Sequence, residues 1–247
     1  MKRYLMVFSY DGTNFKGFQK QPKQRTVQGE IEKALKKISG GTKVELVGSG
    51  RTDAHVHAIN QKAHFDLEMD ITVDKLRMGL NSLLSDDIYI KSIEEVSNTF
   101  HARYNVKAKE YIYIINLGEY NPLERNYVYQ YNKSLDIVAI ERALKYLEGE
   151  HDFKSFTSTD DEKSDYVRKI TQTNLIRDIR DNQKITLSFV GTGFLRYMVR
   201  NMVGTLIQVG EGKIKSEDII AILDKKDRST AGITAEPQGL YLKNVYY

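Results

Sequence analysis

The residue types that chemistry needs gather in one stretch, VGSGRTDAHVHAIN at residues 47–60. Asp53 supplies a carboxylate, Arg51 a guanidinium two positions earlier, and His55 and His57 two imidazoles just after. Two chemistries fit this set. A carboxylate beside a cation can serve as a general base or a nucleophile. An H-x-H pair on a strand puts both rings on one face, as in some metal sites, with His64 as a third ligand. Gly48 and Gly50 permit a tight bend that would expose Asp53. A plainer reading stands beside both, because Asp is a common turn former that bonds nearby backbone amides.

Other candidates lie further along. Arg196 and Arg200 are four apart, so a helix over 195–209 would carry both on one face as a basic ridge. Asn201 makes that edge unusually polar for a helix packed between sheets. Tyr111 and Tyr113 alternate on an expected strand, where a ring can pack in a core or stack on a base. Phe100, His101 and Arg103 form a basic, aromatic segment just before it. There is no GxxxxGK[ST] loop, no GxGxxG after a strand and no GxSxG elbow. Nucleotide kinases, dinucleotide oxidoreductases and α/β-hydrolases therefore lose support.

The periodicity predicts the elements that must position these residues. Residues 3–10 read as a strand, and Thr26 caps a helix with Val27, Ile31, Leu35 and Ile38 on one face. Strands follow at 43–47 and 61–67, then a Thr72-capped helix with Leu76, Leu80 and Leu83, then a strand at 88–96. The second half repeats the order. It has a strand at 109–116, a helix with Ile137, Ile140 and Leu144, and a polar loop at 150–163 with an acidic run at 160–162. A hairpin, 167–177 with 184–190, turns at Asp181-Asn182. The helix over 195–209, a short helix from Ser216 and a strand at 239–246 complete it. The class is α+β, with two β-α-β-β-α-β halves, ferredoxin-like, at 1–104 and 105–247.

The chain has 247 residues, 40% hydrophobic and 28% charged, which is a globular composition. It has no Cys, which excludes disulfides, thiolate zinc sites and cysteine nucleophiles. The apolar run after Met1-Lys2-Arg3 is too short for a signal peptide or a membrane span, so a cytoplasmic location is expected. A net charge of +4 and a pI near 8.9 permit nucleic-acid binding without requiring it.

Seven segments in order resemble the bacterial tRNA pseudouridine synthase A family. They are YDGT at 10–13 with Phe15, Gly17, Gln19 and Gln21; TVQGE at 26–30; GRTDAHVH at 50–57; FHAR at 100–103; GEHDF at 149–153; Phe194-Leu195 with MVRN at 198–201; and GLYL at 239–242. Phe18 departs from the usual Trp, and 233–238 is less rich in proline than in the family. The resemblance implies the pseudouridine synthase fold, two ferredoxin-like halves whose antiparallel sheets meet at a central cleft. It implies a homodimer that holds tRNA, acts on the anticodon arm at tRNA positions 38, 39 and 40, and uses no cofactor, metal or nucleotide. It assigns Asp53 as the catalytic carboxylate, Arg200 as its cation and Tyr111 as the ring against the uracil. Arg51 would support the flipped nucleotide and Leu240 would form an apolar wall. Lys20, Lys23, Arg25 and Arg103 are candidate RNA contacts, the first three on a mobile polar loop. Two alternatives use the same fold: a paralogue with another RNA target, and a non-catalytic tRNA-binding protein.

Overall fold

The computed structural model describes residues 1–158, 165–178, 181 and 183–247. The acidic run at 160–162 and Asn182 of the expected turn lie outside the described residues. In chain order the elements are β1 (Lys2–Tyr10), α1 (Val27–Ile38), β2 (Val47–Gly48), β3 (His57–Leu67), α2 (Val73–Leu83), β4 (Ile88–Val96), β5 (Ala108–Asn116), β6 (Tyr129–Gln130), α3 (Ile137–Tyr146), β7 (Gly149–Asp152), β8 (Val167–Arg177), β9 (Lys184–Gly191), α4 (Met198–Gly210), α5 (Asp218–Lys225) and β10 (Leu240–Tyr246). The fold is α+β with mostly antiparallel strand pairing, as expected. No helix among the described residues is long and apolar enough to cross a membrane.

The chain forms two compact units, Met1–Lys107 with Tyr241–Tyr247, and Ala108–Leu240. Sequence order puts the last strand in the second half, whereas most of β10 lies in the first unit. Its Tyr241 and Leu242 pair in parallel with His57 and Ala58. The Tyr247 hydroxyl donates to Ala102 O at 2.7 Å.

In the first unit the strands run β4-β1-β3-β10, with β2 on β3. β1 pairs antiparallel to β3 from Lys2↔Leu67 to Tyr10↔Ala58. Its buried Tyr4, Met6 and Phe8, with Ala63 and Phe65 of β3 and Ile31, Leu35, Leu76 and Leu80 of α1 and α2, make the core. Thr26 and Thr72 cap α1 and α2 by accepting from Gly29 N–H and Lys75 N–H. The strand expected at 43–47 shrinks to β2. Val44 and Leu46 are buried as alternation predicts. Side chains of α1, however, take the backbone of Leu46. Its N–H donates to Glu32 Oε1 at 3.2 Å, and its C=O accepts from Gln28 Nε2 at 3.0 Å.

In the second unit the order is β5-β9-β8-β7, with β6 on β5. Residues 150–152 of the polar loop expected at 150–163 lie in a strand, β7. β7 pairs with β8 from Gly149↔Ile170 to Asp152↔Val167, and Phe153 and Phe156 are fully buried. α4 begins at Met198, three residues later than the periodicity suggests. Tyr197 has φ +61°, a left-handed conformation that a helix cannot continue through. Arg196 is therefore not on α4 and forms no helical ridge with Arg200.

On β3, His64 is buried, and its Nδ1 accepts from Ala102 N–H at 3.0 Å. Burial, then the cation of Arg3 and then His101, push its pKa down to about 4. An unfolded histidine titrates near 6.5, so between those values the unfolded chain binds more protons. Stability should therefore fall as pH drops from about 6.5 to about 4, by at most about 3–4 kcal/mol. Denaturant titrations at pH 7 and 4.5 should show this slope. His64→Asn, whose amide oxygen can accept in place of Nδ1, should flatten it.

Candidate active site

The loop between β2 and β3 carries Asp53, and backbone groups on either side of that residue are hydrogen-bonded. Ser49 N–H donates to Lys62 O at 2.8 Å. Ser49 Oγ lies 2.6 Å from Oε1 of the fully buried Gln61, whose Nε2 donates to Gly50 O at 3.2 Å. The hydroxyls of Tyr10 and Thr52, both buried, are 2.8 Å apart. Burial pushes the Tyr10 pKa well up, which keeps that hydroxyl protonated. The β1–α1 loop then closes over the backbone. Phe18 N–H donates to Thr52 O at 3.1 Å, His55 N–H to Phe15 O at 3.4 Å, and Val56 N–H to Asp53 O at 3.3 Å.

Two glycines allow this closeness. Gly17 has φ +95°, and a Cβ there would sit 2.9 Å from Thr52 O. A Cβ on Gly12 would overlap Val56 O. Asp53 is half-buried on a loop whose backbone has little freedom. A half-buried carboxylate on a hydrogen-bonded loop suits nucleophilic or general-base chemistry.

The histidines do not form the H-x-H strand face. His55 lies in a turn at φ +65°, with Nδ1 2.7 Å from Thr13 O. His57 starts β3, is buried and stacks on Tyr241 at 4.7 Å. Gly12 N–H donates to its Nδ1 at 3.0 Å, and the same nitrogen lies 3.2 Å from Asp11 Oδ1. Among the described residues no group of three or more His, Asp or Glu is arranged to hold a metal.

The basic candidates of this unit divide. Arg51 and Arg103 are exposed, and neither side chain makes a hydrogen bond or ion pair with a described residue. Lys20 is ion-paired to Glu32 at 2.8 Å. Arg25 grips Asp87 through two bonds of 2.7 and 2.9 Å, reaches Ser85 Oγ at 2.8 Å and lies 4.1 Å over the Phe15 ring. Lys16 N–H also donates to Arg25 O, so this loop is pinned at Arg25 rather than mobile there. Lys23 is exposed at φ +58°.

The remaining candidates belong to residues 108–240. Tyr111 is buried on β5, edge-on to Phe194 with ring centroids 5.0 Å apart. Arg200, in the first turn of α4, donates from Nε to Ala235 O at 2.7 Å and lies 5.1 Å over the Tyr197 ring. Leu240 is buried at the start of β10. Sequence reasoning missed Tyr10, Gln61 and Thr52 as supports of the Asp53 loop. Gly17 was visible only as part of a pattern, because nothing local says which backbone it must clear.

Comparison with known proteins adds a family. A family model described as tRNA pseudouridine synthase matches residues 6–105 and 143–247. A relative from Streptococcus mutans serotype c, named tRNA pseudouridine synthase A, is 44% identical over 248 residues, covering 100% of this chain and 99% of its own. Relatives of the same name from Anoxybacillus flavithermus and Streptococcus pneumoniae (strain P1031) are each 45% identical, with the same coverage.

Gly17→Ala should test the backbone clamp against a built-in control. Gly40 also has positive φ, +67°, but faces open space. Gly40→Ala should cost about 1 kcal/mol for the conformation alone. Gly17→Ala adds a clash with Thr52 O and should cost about 2–4 kcal/mol by urea denaturation.

Proposed function

The chain belongs to the tRNA pseudouridine synthase family, and on that premise we propose that Asp53 is the carboxylate through which it isomerises uridine in tRNA to pseudouridine. The proposed targets are uridines 38, 39 and 40 of the anticodon arm. The observation that carries the assignment is the mounting of Asp53, half-buried on a loop clamped by the β1–α1 loop, within the GRTDAHVH segment.

The reaction breaks the bond from C1′ to N1 of the uracil. The ring turns, C5 bonds to C1′, the C5 proton leaves and N1 gains one. Nothing is added overall. Asp53 serves this either by attacking C1′, to form a glycosyl ester that C5 later displaces, or by removing a proton on a glycal-like route. Both need an ionised carboxylate, which a nearby cation favours. By resemblance Arg200 is assigned as that cation. Tyr111 is assigned as the ring that stacks on the uracil and assists loss of the C5 proton, and Leu240 as an apolar wall. Arg51 is assigned to the space left by the flipped nucleotide, since extracting a base costs a few kcal/mol of unstacking. Among the candidate phosphate contacts, Arg103 is favoured by its exposed, uncommitted guanidinium, Lys20 must exchange Glu32 for a phosphate, and Arg25 serves the protein first. We assign the working form as a cytoplasmic homodimer on tRNA.

The test is to incubate the protein with unmodified tRNA and map pseudouridine at single-nucleotide resolution. Wild type should modify positions 38 to 40, and Asp53→Asn should lose at least about a thousandfold in rate while still binding tRNA. Product at other positions would keep the chemistry and move the target. Binding by wild type without product on any tRNA would leave a binding protein in place of the enzyme.

A further inference from the structure

Asn201 is fully buried one residue after Arg200. Its Nδ2 donates to Phe156 O at 2.8 Å, and its Oδ1 accepts from Thr234 Oγ1 at 2.7 Å and from Arg228 Nη2 at 3.0 Å. Arg228 Nη2 also reaches Thr234 Oγ1 at 3.1 Å, which closes a triangle of three side chains. Arg228 has no acidic partner among the described residues, and burial pushes its pKa down. Its half-buried guanidinium also donates from Nη1 to Ala231 O at 3.3 Å, so hydrogen bonds to neutral oxygens offset the cost of its burial.

The triangle straps residues 228–235 to α4. A Cβ on Gly204 would overlap Ile233 O, and one on Gly232 would sit 2.7 Å from Gly204 backbone atoms. Gly232 N–H donates to Thr205 Oγ1 at 2.8 Å. The strap ends at Ala235, whose N–H donates to Arg200 O at 3.1 Å and whose C=O accepts from Arg200 Nε at 2.7 Å. Ala235 thus holds one contact of the Arg200 guanidinium, and the triangle bonds Thr234, the residue just before it.

We propose that Asn201, Arg228 and Thr234 form a latch that positions Arg200 for the isomerisation, acting through the 228–235 strap and the Ala235 carbonyl. This rests on the assignment of Arg200 made above. The three are positioning residues, since none is assigned a contact with the uridine. Loss of the latch should lower kcat and leave KM nearly unchanged, because the strap is not assigned to binding RNA.

The sharpest variant is Thr234→Val, which keeps the shape and removes one hydroxyl that both donates to Asn201 and accepts from Arg228. Thr234→Ser restores the hydroxyl. Arg228→Lys breaks the triangle from another side if Thr234→Val does not fold. Two readouts are taken on tRNA-modifying protein of full length. One is kcat and KM for pseudouridine formation. The other is hydrogen exchange of the Arg200 Nε–H, assigned by its absence in Arg200→Lys. Thr234→Val should lower kcat about tenfold with KM within about twofold, and speed exchange at that Nε–H about tenfold. Thr234→Ser should recover both. Unchanged Nε–H exchange in Thr234→Val and in Arg228→Lys would overturn the latch, whatever the activity. Faster exchange with full kcat, where Arg200→Lys is impaired, would also overturn it and leave the assignment of Arg200 standing. Full kcat in Arg200→Lys itself would instead retire that assignment, and the latch's role in the reaction with it.

Discussion

The structure of the first unit depends on one constraint: a buried loop backbone must have its peptide groups paired. The loop that carries Asp53 meets it in part with peptide groups borrowed from another loop. Thr52 O and His55 N–H are satisfied by Phe18 N–H and Phe15 O. That exchange requires two backbones to approach without side chains between them, so Gly12 and Gly17 are fixed by space rather than by turn preference. From there the constraint spreads. The N–H groups of Val27 and Gln28, at the start of α1, donate to Gly17 O and Phe18 O. The same helix then holds Leu46 through Gln28 and Glu32, just ahead of β2.

Charged residues near this loop show how local context divides them between architecture and function. Arg25 has the composition of a phosphate contact, yet its planar fork is spent on Asp87 and its face on Phe15. Glu32 anchors Leu46 N–H and also draws in Lys20. Arg51 and Arg103, exposed and with side chains bonded to no described residue, are a different kind of cation. Residue type alone does not separate these classes, but bonding does.

The second unit uses backbone contact in the same way, between α4 and the residues 228–235. Gly204 and Gly232 remove the side chains that would hold them apart, and the buried Asn201 supplies the polar partners that the contact needs. An amide with every group satisfied rigidifies the core around it, which is how one polar residue can sit fully buried in a helix packed against apolar neighbours.

The amino-acid sequence determined whatever depends on neighbours a few residues apart. The caps at Thr26 and Thr72, the apolar faces of α1 to α4, the alternation in β1, β3 and β5, and the α+β order are of this kind, because helix and strand periods are local. The stretch that holds Asp53 was visible too, since its residue types are concentrated in one motif. Tertiary structure decided what local pattern cannot encode. Val44 and Leu46 alternate as strand residues, but Gln28 and Glu32 took the hydrogen bonds a strand would have used. His55 and His57 have strand spacing, but the turn closed by Asp53 O and Val56 N–H gave His55 a left-handed backbone. Arg196 and Arg200 have helical spacing, but Tyr197 breaks the helix between them. For Leu46 the competing partners lay on α1, and their hydrogen bonds outweighed the fraction of a kcal/mol that local propensity contributes per residue. For His55 and Tyr197 the backbone path itself left the regular region.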